Sequence, residues 1–105
     1  MELVRQGRAE LIGPVRQEVL SGIRHQPQFQ RLKTHLRAFL DLPLETDDFE
    51  LAAEHFNTCR GRGIQGSNTD FLICAVALRR GLTIFTTDKD FEQYARYLPL
   101  VFHYP

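Results

Sequence analysis

Residues 67–91 read S-N-T-D-F-L-I-C-A-V-A-L-R-R-G-L-T-I-F-T-T-D-K-D-F and combine the signals of a buried helix and a buried strand. Ser67 is a favourable N-cap, and the aspartate three residues later completes an S-x-x-D capping pattern. Residues 71–78 are apolar on every side, which predicts a helix buried in the core. Gly81 is a natural residue at which to end that helix. Residues 82–85 then predict a short strand that is buried on both faces.

Two aspartates, Asp88 and Asp90, follow this predicted strand directly. In open α/β sheets, functional sites form just beyond the carboxyl ends of the strands, so both side chains are expected at the edge of a site. Asp70, at the start of the buried helix, can point to the same edge. Each aspartate also has a purely structural explanation, because Asp70 suits a capping box and the other two suit the cap of a following helix.

The composition indicates one small globular domain. The chain has 105 residues, of which 43% are hydrophobic, so residues 1–105 are treated as a single domain with one core. Thirteen basic and thirteen acidic residues cancel, so the overall charge does not single out a nucleic-acid-binding protein. Cys59 and Cys74 fall in predicted helices and are expected to be buried free thiols of a reduced compartment. Neither a signal peptide nor a membrane-length apolar run is found, so a cytoplasmic protein without membrane contact is expected.

The rest of the chain alternates between helices and short strands. Helices are predicted at residues 1–7 (the end of an element), 14–23, 27–40, from a cap at Thr46 to about residue 59, and 91–97. Strands are predicted at residues 9–12 and 100–104, with an extended link or edge strand at residues 42–44. This alternation favours a parallel sheet in an α/β layer fold.

Four acids occupy positions at which the predicted helices and strands do not require an acid: Glu18, Asp70, Asp88 and Asp90. Mg²⁺ and Mn²⁺ prefer carboxylate and water oxygens, so acids gathered at a sheet edge can hold one or two such ions. Bound there, the ions would activate a water and stabilise charge on a phosphodiester. Taken alone, Glu18 is an ordinary solvated helix residue, so the acids carry meaning only in combination. An aspartate that accepts a phosphoryl group, in a receiver-like or phosphatase-like fold, is a further hypothesis.

In combination, the glutamate in P-V-R-Q-E-V-L-S-G, the aspartate in T-D-F-L-I-C-A-V-A-L and the run T-T-D-K-D-F resemble the PIN-domain family, and most of all its VapC-type toxin ribonucleases. The order and approximate spacing match over nearly the whole chain. The resemblance implies a PIN-like three-layer α/β fold with a short central parallel sheet flanked by helices. It also implies a toxin–antitoxin endoribonuclease that cleaves RNA phosphodiesters with Mg²⁺ or Mn²⁺ held by acids.

The resemblance also implies roles for individual residues. The metal ligands would be Glu18, Asp70, Asp88 and Asp90. The first three of these would also be the catalytic acids. Ser67 and Thr87 would supply polar contacts behind the ligands.

Partners are implied in the same way. Arg60 and Arg62, in a glycine-containing loop, are candidates for binding RNA phosphates, as are Arg16 and Arg24 near Glu18. Each of these arginines is also consistent with an ordinary solvated cation. Family antitoxins lay a segment across the acidic site, so a cognate antitoxin protein is an expected partner alongside the RNA substrate.

The sequence departs from the family in one respect. The family opens with a central strand that ends in a metal-binding aspartate, usually D-x-S, and the sequence has no such segment before residues 9–12. It therefore resembles an N-terminally truncated member, whose site lacks one ligand. Sheet closure, exchange of a segment between chains or partial disorder would each deal with the unpaired strand edges, and a homodimer is expected. The alternative function is a catalytically degenerate PIN module that binds RNA or an antitoxin without turnover.

Overall fold

The structure is a computed structural model that describes residues 3–6, 8–86 and 88–102, with only the backbone described for residues 3–6 and 8–10. Within these residues, one sheet contains β1 (Leu3–Gln6), β2 (Arg8–Ile12), β3 (Leu40–Leu42) and β4 (Thr83–Phe85). The helices are α1 (Gly13–Leu20), α2 (Gln26–Leu36), α3 (Thr46–Arg60), α4 (Asn68–Arg80) and α5 (Asp90–Tyr94). The chain is therefore a mixed α/β domain, as expected.

The sheet has the strand order β3-β2-β1-β4. β2 and β3 pair in parallel, whereas β1 is antiparallel to both of its neighbours. It follows that β2, β3 and β4 all run in one direction and that β1 alone is reversed. Beyond β4, Phe102 forms one parallel bridge to Ile84, in the place of the strand predicted over residues 100–104. Residues 103–105 lie outside the described part of the chain.

The helix predicted for residues 1–7 is wrong where the structure describes it, because residues 3–6 form the strand β1. The physical reason is non-local. β2 and β4 each present a row of backbone N–H and C=O groups to the space between them, and such groups must be paired when they are buried. A strand in that space pairs both rows at once, with Val4 opposite Glu10 on one side and opposite Ile84 on the other. This demand overrides a weak local helix propensity.

β1 also fills the place in which a central strand was expected to be missing. Of the three ways to deal with unpaired edges, the structure shows closure of the sheet within one chain. The argument for a homodimer from an open sheet therefore no longer holds.

The sheet lies between two layers of helices. Successive strand residues point to opposite faces, and Leu11 and Ile12 of β2 accordingly belong to different apolar clusters. Leu11 packs with Leu36 of α2, whereas Ile12 joins the main core with α3, α4 and α5. This is the three-layer arrangement expected for the chain.

α4 is the centre of the core, as its sequence predicts. Residues 71–77 are all buried, and the helix packs along α3. The Ser67 side chain accepts a hydrogen bond at the first turn, and Gly81 ends the helix in the left-handed conformation with φ of 64°. A residue with a Cβ is disfavoured in that conformation, which explains the glycine. The two caps fix where α4 begins and ends. They therefore also fix the position of Asp70, three residues after Ser67.

A buried ion-pair cluster joins α3 to the far end of α4. Asp48, which is 0% exposed, accepts hydrogen bonds from Arg79 at 2.6 Å, from Arg80 at 2.8 Å and from the Glu45 backbone N–H at 2.8 Å. Burial raises the pKa of Asp48, but these hydrogen bonds and the arginine charges outweigh it and leave the pKa below its ordinary value. The N-cap of α3 is therefore Glu45 with Asp48, rather than the predicted Thr46.

α2 ends at Leu36, four residues before the predicted end, because residues 40–42 are needed as the edge strand β3. Arg16 of α1 secures this junction. Its guanidinium donates to the carbonyl oxygens of Leu36 and Phe39 and to the carboxylate of Asp41, at 2.9–3.0 Å. The donors of Arg16 are thus engaged inside the fold, which argues against the role in RNA binding considered for it. α1 and α5 are also shorter than predicted, and end at Leu20 and Tyr94. No described helix combines the length and apolar character needed to cross a membrane.

Candidate metal centre

Asp70 lies in the first turn of α4, where the cap holds its backbone and leaves its carboxylate available. The backbone N–H of Asp70 donates to Ser67 Oγ at 3.0 Å, which is the capping contact that the S-x-x-D pattern predicts. The carboxylate itself accepts a hydrogen bond at Oδ2 from the Tyr94 hydroxyl at 2.7 Å. The capping contact uses the backbone N–H of Asp70, while its carboxylate interacts with the Tyr94 hydroxyl and the Ser67 side chain.

Asp88 and Asp90 follow the carboxyl end of β4, on the turn that leads into α5. Thr86 Oγ1 accepts the Asp88 backbone N–H at 3.0 Å, and Asp88 Oδ1 accepts the Asp90 backbone N–H at 2.9 Å. The Asp88 carboxylate thus closes the turn that leads into α5, whose N-cap is Lys89 and receives no side-chain hydrogen bond. The same turn holds both carboxylates beside the N-terminus of α4. Thr87 lies outside the described residues, so its predicted contact stays a prediction.

The three aspartates come together in space. One carboxylate oxygen from each of Asp70, Asp88 and Asp90 lies within 4.8 Å of the others, with the first two partly buried and the third exposed. Burial raises the pKa of Asp70, the negative charges of Asp88 and Asp90 raise it further, and hydrogen bonds from Tyr94 and Ser67 act in the opposite direction. Among the described residues, no arginine, lysine or histidine forms an ion pair with the three. The described residues thus supply no counter-charge to offset the mutual repulsion of the three aspartates.

This donor set fits a hard divalent cation. Mg²⁺ and Mn²⁺ prefer carboxylate oxygens, and Mg²⁺ is typically held by one or two carboxylates together with waters. A cation among the three aspartates would also relieve the repulsion between them. Asp70, Asp88 and Asp90 are therefore the residues that could hold a metal ion here.

Glu18 stands apart from this cluster. It is exposed on α1 and does not belong to the group of oxygens within 4.8 Å of one another. It does line a small pocket of about 140 Å³ together with Asp70, Thr69, Val15 and Val19. The structure thus places Glu18 in the wall of a pocket that it shares with Asp70, outside the cluster of three aspartates.

Tyr94 and Gly66 belong to the site although the sequence did not single them out. Tyr94 is 0% exposed, and burial together with the hydrogen bond to Asp70 raises the pKa of its hydroxyl, so the hydroxyl keeps its proton and donates. A Cβ added at Gly66 would lie 2.4 Å from the Tyr94 hydroxyl oxygen, so only glycine lets the hydroxyl fit there. A sequence signal exists for Tyr94, since a tyrosine in a buried helical stripe needs a hydrogen-bond partner.

Of the two arginines predicted for the glycine-containing loop, Arg60 is the last residue of α3 and Arg62 lies in the turn beyond it. Arg60 is exposed and lines a pocket of about 190 Å³ with Phe56, Phe71 and Gly66. Arg62 is exposed, and its guanidinium carbon lies 5.3 Å from the centre of the Tyr97 ring. Gly66, which lines the Arg60 pocket, lies next to the Tyr94 hydroxyl that donates to Asp70, so the pocket is connected to the cluster through Tyr94.

The fold and the site together define a class of small α/β domains with acids gathered at the carboxyl end of the sheet. The family model described as PIN domain matches residues 2–97, and the chain belongs to this family. PIN domains are generally nucleases, and many are related to toxin–antitoxin systems. A search of curated proteins finds no match for the chain.

Proposed function

We propose that this protein is a metal-dependent endoribonuclease of the VapC toxin type, which cleaves RNA phosphodiesters. The observation that carries the proposal is the convergence of Asp70, Asp88 and Asp90 within 4.8 Å at the carboxyl end of β4, in a chain of the PIN family. The cluster has no basic partner among the described residues, which is the condition expected of a site that receives a cation.

In this proposal the three aspartates share one role, and Glu18 has another. When bound, Mg²⁺ or Mn²⁺ stabilises charge on the phosphodiester and lowers the pKa of a water molecule. Asp70, Asp88 and Asp90 would hold the ion, and Ser67 and Thr87 would fix their positions. Glu18, exposed in the pocket that Asp70 also lines, is the fourth acid and would contact the attacking water or the RNA.

Arg60 and Arg62 are the proposed RNA-binding residues. Both side chains are exposed, and neither forms an ion pair among the described residues. A phosphate next to the one cleaved would neutralise Arg60 at the rim of a pocket that is connected to the cluster through Tyr94. Binding of this kind weakens as salt concentration rises, which makes it measurable apart from catalysis.

A cognate antitoxin and a homodimer are further parts of the proposal, with a cytoplasmic location where such a toxin would meet cellular RNA. The surface that supports a protein partner surrounds Phe49 of α3, which is 51% exposed. It borders a pocket of about 210 Å³ that Ala52, Ala53, Asn68 and Leu72 also line. Large exposed aromatic residues beside an apolar pocket are typical of protein interfaces.

A second candidate function is a PIN module that binds RNA or an antitoxin without turnover. Two observations favour it. Three acids rather than four converge, with Glu18 outside the cluster, and β1 occupies the central place in which the family's D-x-S strand is expected. In this case the three aspartates would bind a cation and RNA, but cleavage would not follow.

Cleavage of structured RNA by the purified protein separates the two candidates. The reaction is run with Mn²⁺ or Mg²⁺ and then with excess EDTA, for wild type, Asp88→Asn and Glu92→Gln. Glu92 is the matched control, because it is an acid exposed on α5 outside the cluster. The proposal expects metal-dependent cleavage that is lost in Asp88→Asn and kept in Glu92→Gln.

Two other results would contradict the nuclease proposal. Cleavage that persists in EDTA or in Asp88→Asn would show a contaminant or a different site. RNA binding without any cleavage, in the presence of bound metal, would favour the non-catalytic module.

A further inference from the structure

The Tyr94 hydroxyl donates a hydrogen bond of 2.7 Å to Asp70 Oδ2, and the Ser67 side chain also interacts with the Asp70 carboxylate. The ring cannot swing away from this contact. It is 0% exposed and packs against Phe71 at 4.8 Å and Phe91 at 5.2 Å between ring centres. Gly66 closes the remaining side at the hydroxyl itself. Tyr94 is therefore a rigid donor whose position the core fixes.

The type of donor matters as much as its position. A lysine or arginine at this place would neutralise the cluster and compete with a cation. A phenol donates a hydrogen bond while leaving the negative charges in place. Because it engages Oδ2, it also favours presentation of the other oxygen of Asp70 to an ion.

We propose that Tyr94 is a positioning residue that makes Asp70 a one-oxygen ligand, and that the centre thereby prefers Mn²⁺ and Mg²⁺ over Ca²⁺. Small ions of this kind require near-octahedral geometry with single oxygens from each ligand. Ca²⁺ is larger, takes six to eight oxygens and readily uses both oxygens of one carboxylate. Freeing Oδ2 should therefore weaken the preference. This inference rests on the proposed metal centre.

The test compares Mn²⁺ and Ca²⁺ affinities by calorimetry for wild type, Tyr94→Phe and Tyr97→Phe. Tyr94→Phe keeps the ring and removes only the hydroxyl. Tyr97→Phe is the matched control, because Tyr97 is 41% exposed and lies after α5, away from the cluster. We expect Tyr94→Phe to lower Mn²⁺ affinity by about tenfold, as is typical when a residue behind a metal ligand is lost, and to lower Ca²⁺ affinity less. Thermal melting verifies that each variant is folded, and Gly66→Ala, which displaces the same hydroxyl, serves as a second variant.

The outcomes separate this inference from the proposed function. Unchanged affinities in Tyr94→Phe, or equal losses for the two ions, would overturn the role in selectivity. Absence of Mn²⁺ binding to wild type would overturn the metal centre and the inference with it. A shift in the ratio of the two affinities, in a protein that does not cleave RNA, would leave the role of Tyr94 standing and contradict the nuclease.

Discussion

Gly66→Ala should destabilise the protein strongly although it adds only a methyl group. The new Cβ would lie 2.4 Å from the Tyr94 hydroxyl oxygen, 2.7 Å from its Cζ and 2.9 Å from Phe71 Cε2. Both rings are buried in the main core and cannot move away without disturbing it. Overpacking of this kind costs about 1–3 kcal/mol, and loss of a hydrogen bond to a charged group about 1.5–3 kcal/mol. We expect a total near 3 kcal/mol, which lowers the melting temperature of a domain of this size by at least about 12 °C.

The assay is thermal melting followed by circular dichroism, with Gly13→Ala as the matched control. Apart from its two chain neighbours, a Cβ at Gly13 meets no atom within 4 Å; because Pro14 follows, alanine there should lower stability only slightly, and far less than alanine at Gly66. If Gly66→Ala melts at the temperature of wild type, Tyr94 is not confined between Gly66 and Asp70. The arrangement described for this side of the site would then be wrong.

Three further predictions concern Asp48, Asp70 and the exposed Phe49. Asp48→Ala leaves two arginines without their buried partner and should lower the free energy of unfolding by about 3 kcal/mol, measured by urea denaturation. The pKa of Asp48 in the folded protein lies below its ordinary value of 3.8. The ionised carboxylate therefore stabilises the fold above pH 3.8, and this stabilisation is lost as the pH falls through the folded-state pKa. Asp48→Asn should accordingly flatten the acid-unfolding profile below about pH 4. The pKa of Asp70 is raised in the folded protein, so its ionised form destabilises the fold at neutral pH. Asp70→Asn should therefore keep or increase stability at neutral pH without metal. Mn²⁺ at 100 times its dissociation constant should stabilise wild type by about 2.7 kcal/mol and Asp70→Asn much less. Equal stabilisation of the two proteins would show that Asp70 is only a cap residue. Sedimentation at micromolar concentration should find a wild-type dimer that Phe49→Ser dissociates, and a wild-type monomer would contradict the homodimer.

The features that sequence alone could predict are local ones. α4 was predictable because its cap, its all-round apolar composition and its terminal glycine lie within 15 residues of one another. Asp88 and Asp90 were predictable as site residues because they follow a buried strand directly. The strand β1 was not, because four residues carry little signal of their own and the reason for their conformation is pairing with β2 and β4.

Long-range polar contacts were missed for the same reason. Considered locally, Asp48 suits the positive end of the α3 dipole, and Arg79 suits the negative end of the α4 dipole. Their ion pair, however, joins residues that are 31 positions apart in the sequence. Tyr94 and Asp70 are 24 positions apart, and only the packing of α5 against α4 brings them together. Local patterns thus singled out the three aspartates that come together in the candidate site, whereas the groups that contact them depend on the tertiary fold.

The most direct test of the metal centre is to locate the ion by its paramagnetic effect. Substoichiometric Mn²⁺ is added to ¹⁵N-labelled protein, and the broadening of each backbone amide signal is measured. We predict broadening centred on Asp70, Asp88 and Asp90. The internal comparison is the segment of residues 41–58, which carries six acids and no lysine or arginine. Broadening centred on that segment, or no local broadening at all, would contradict a metal centre at the three aspartates.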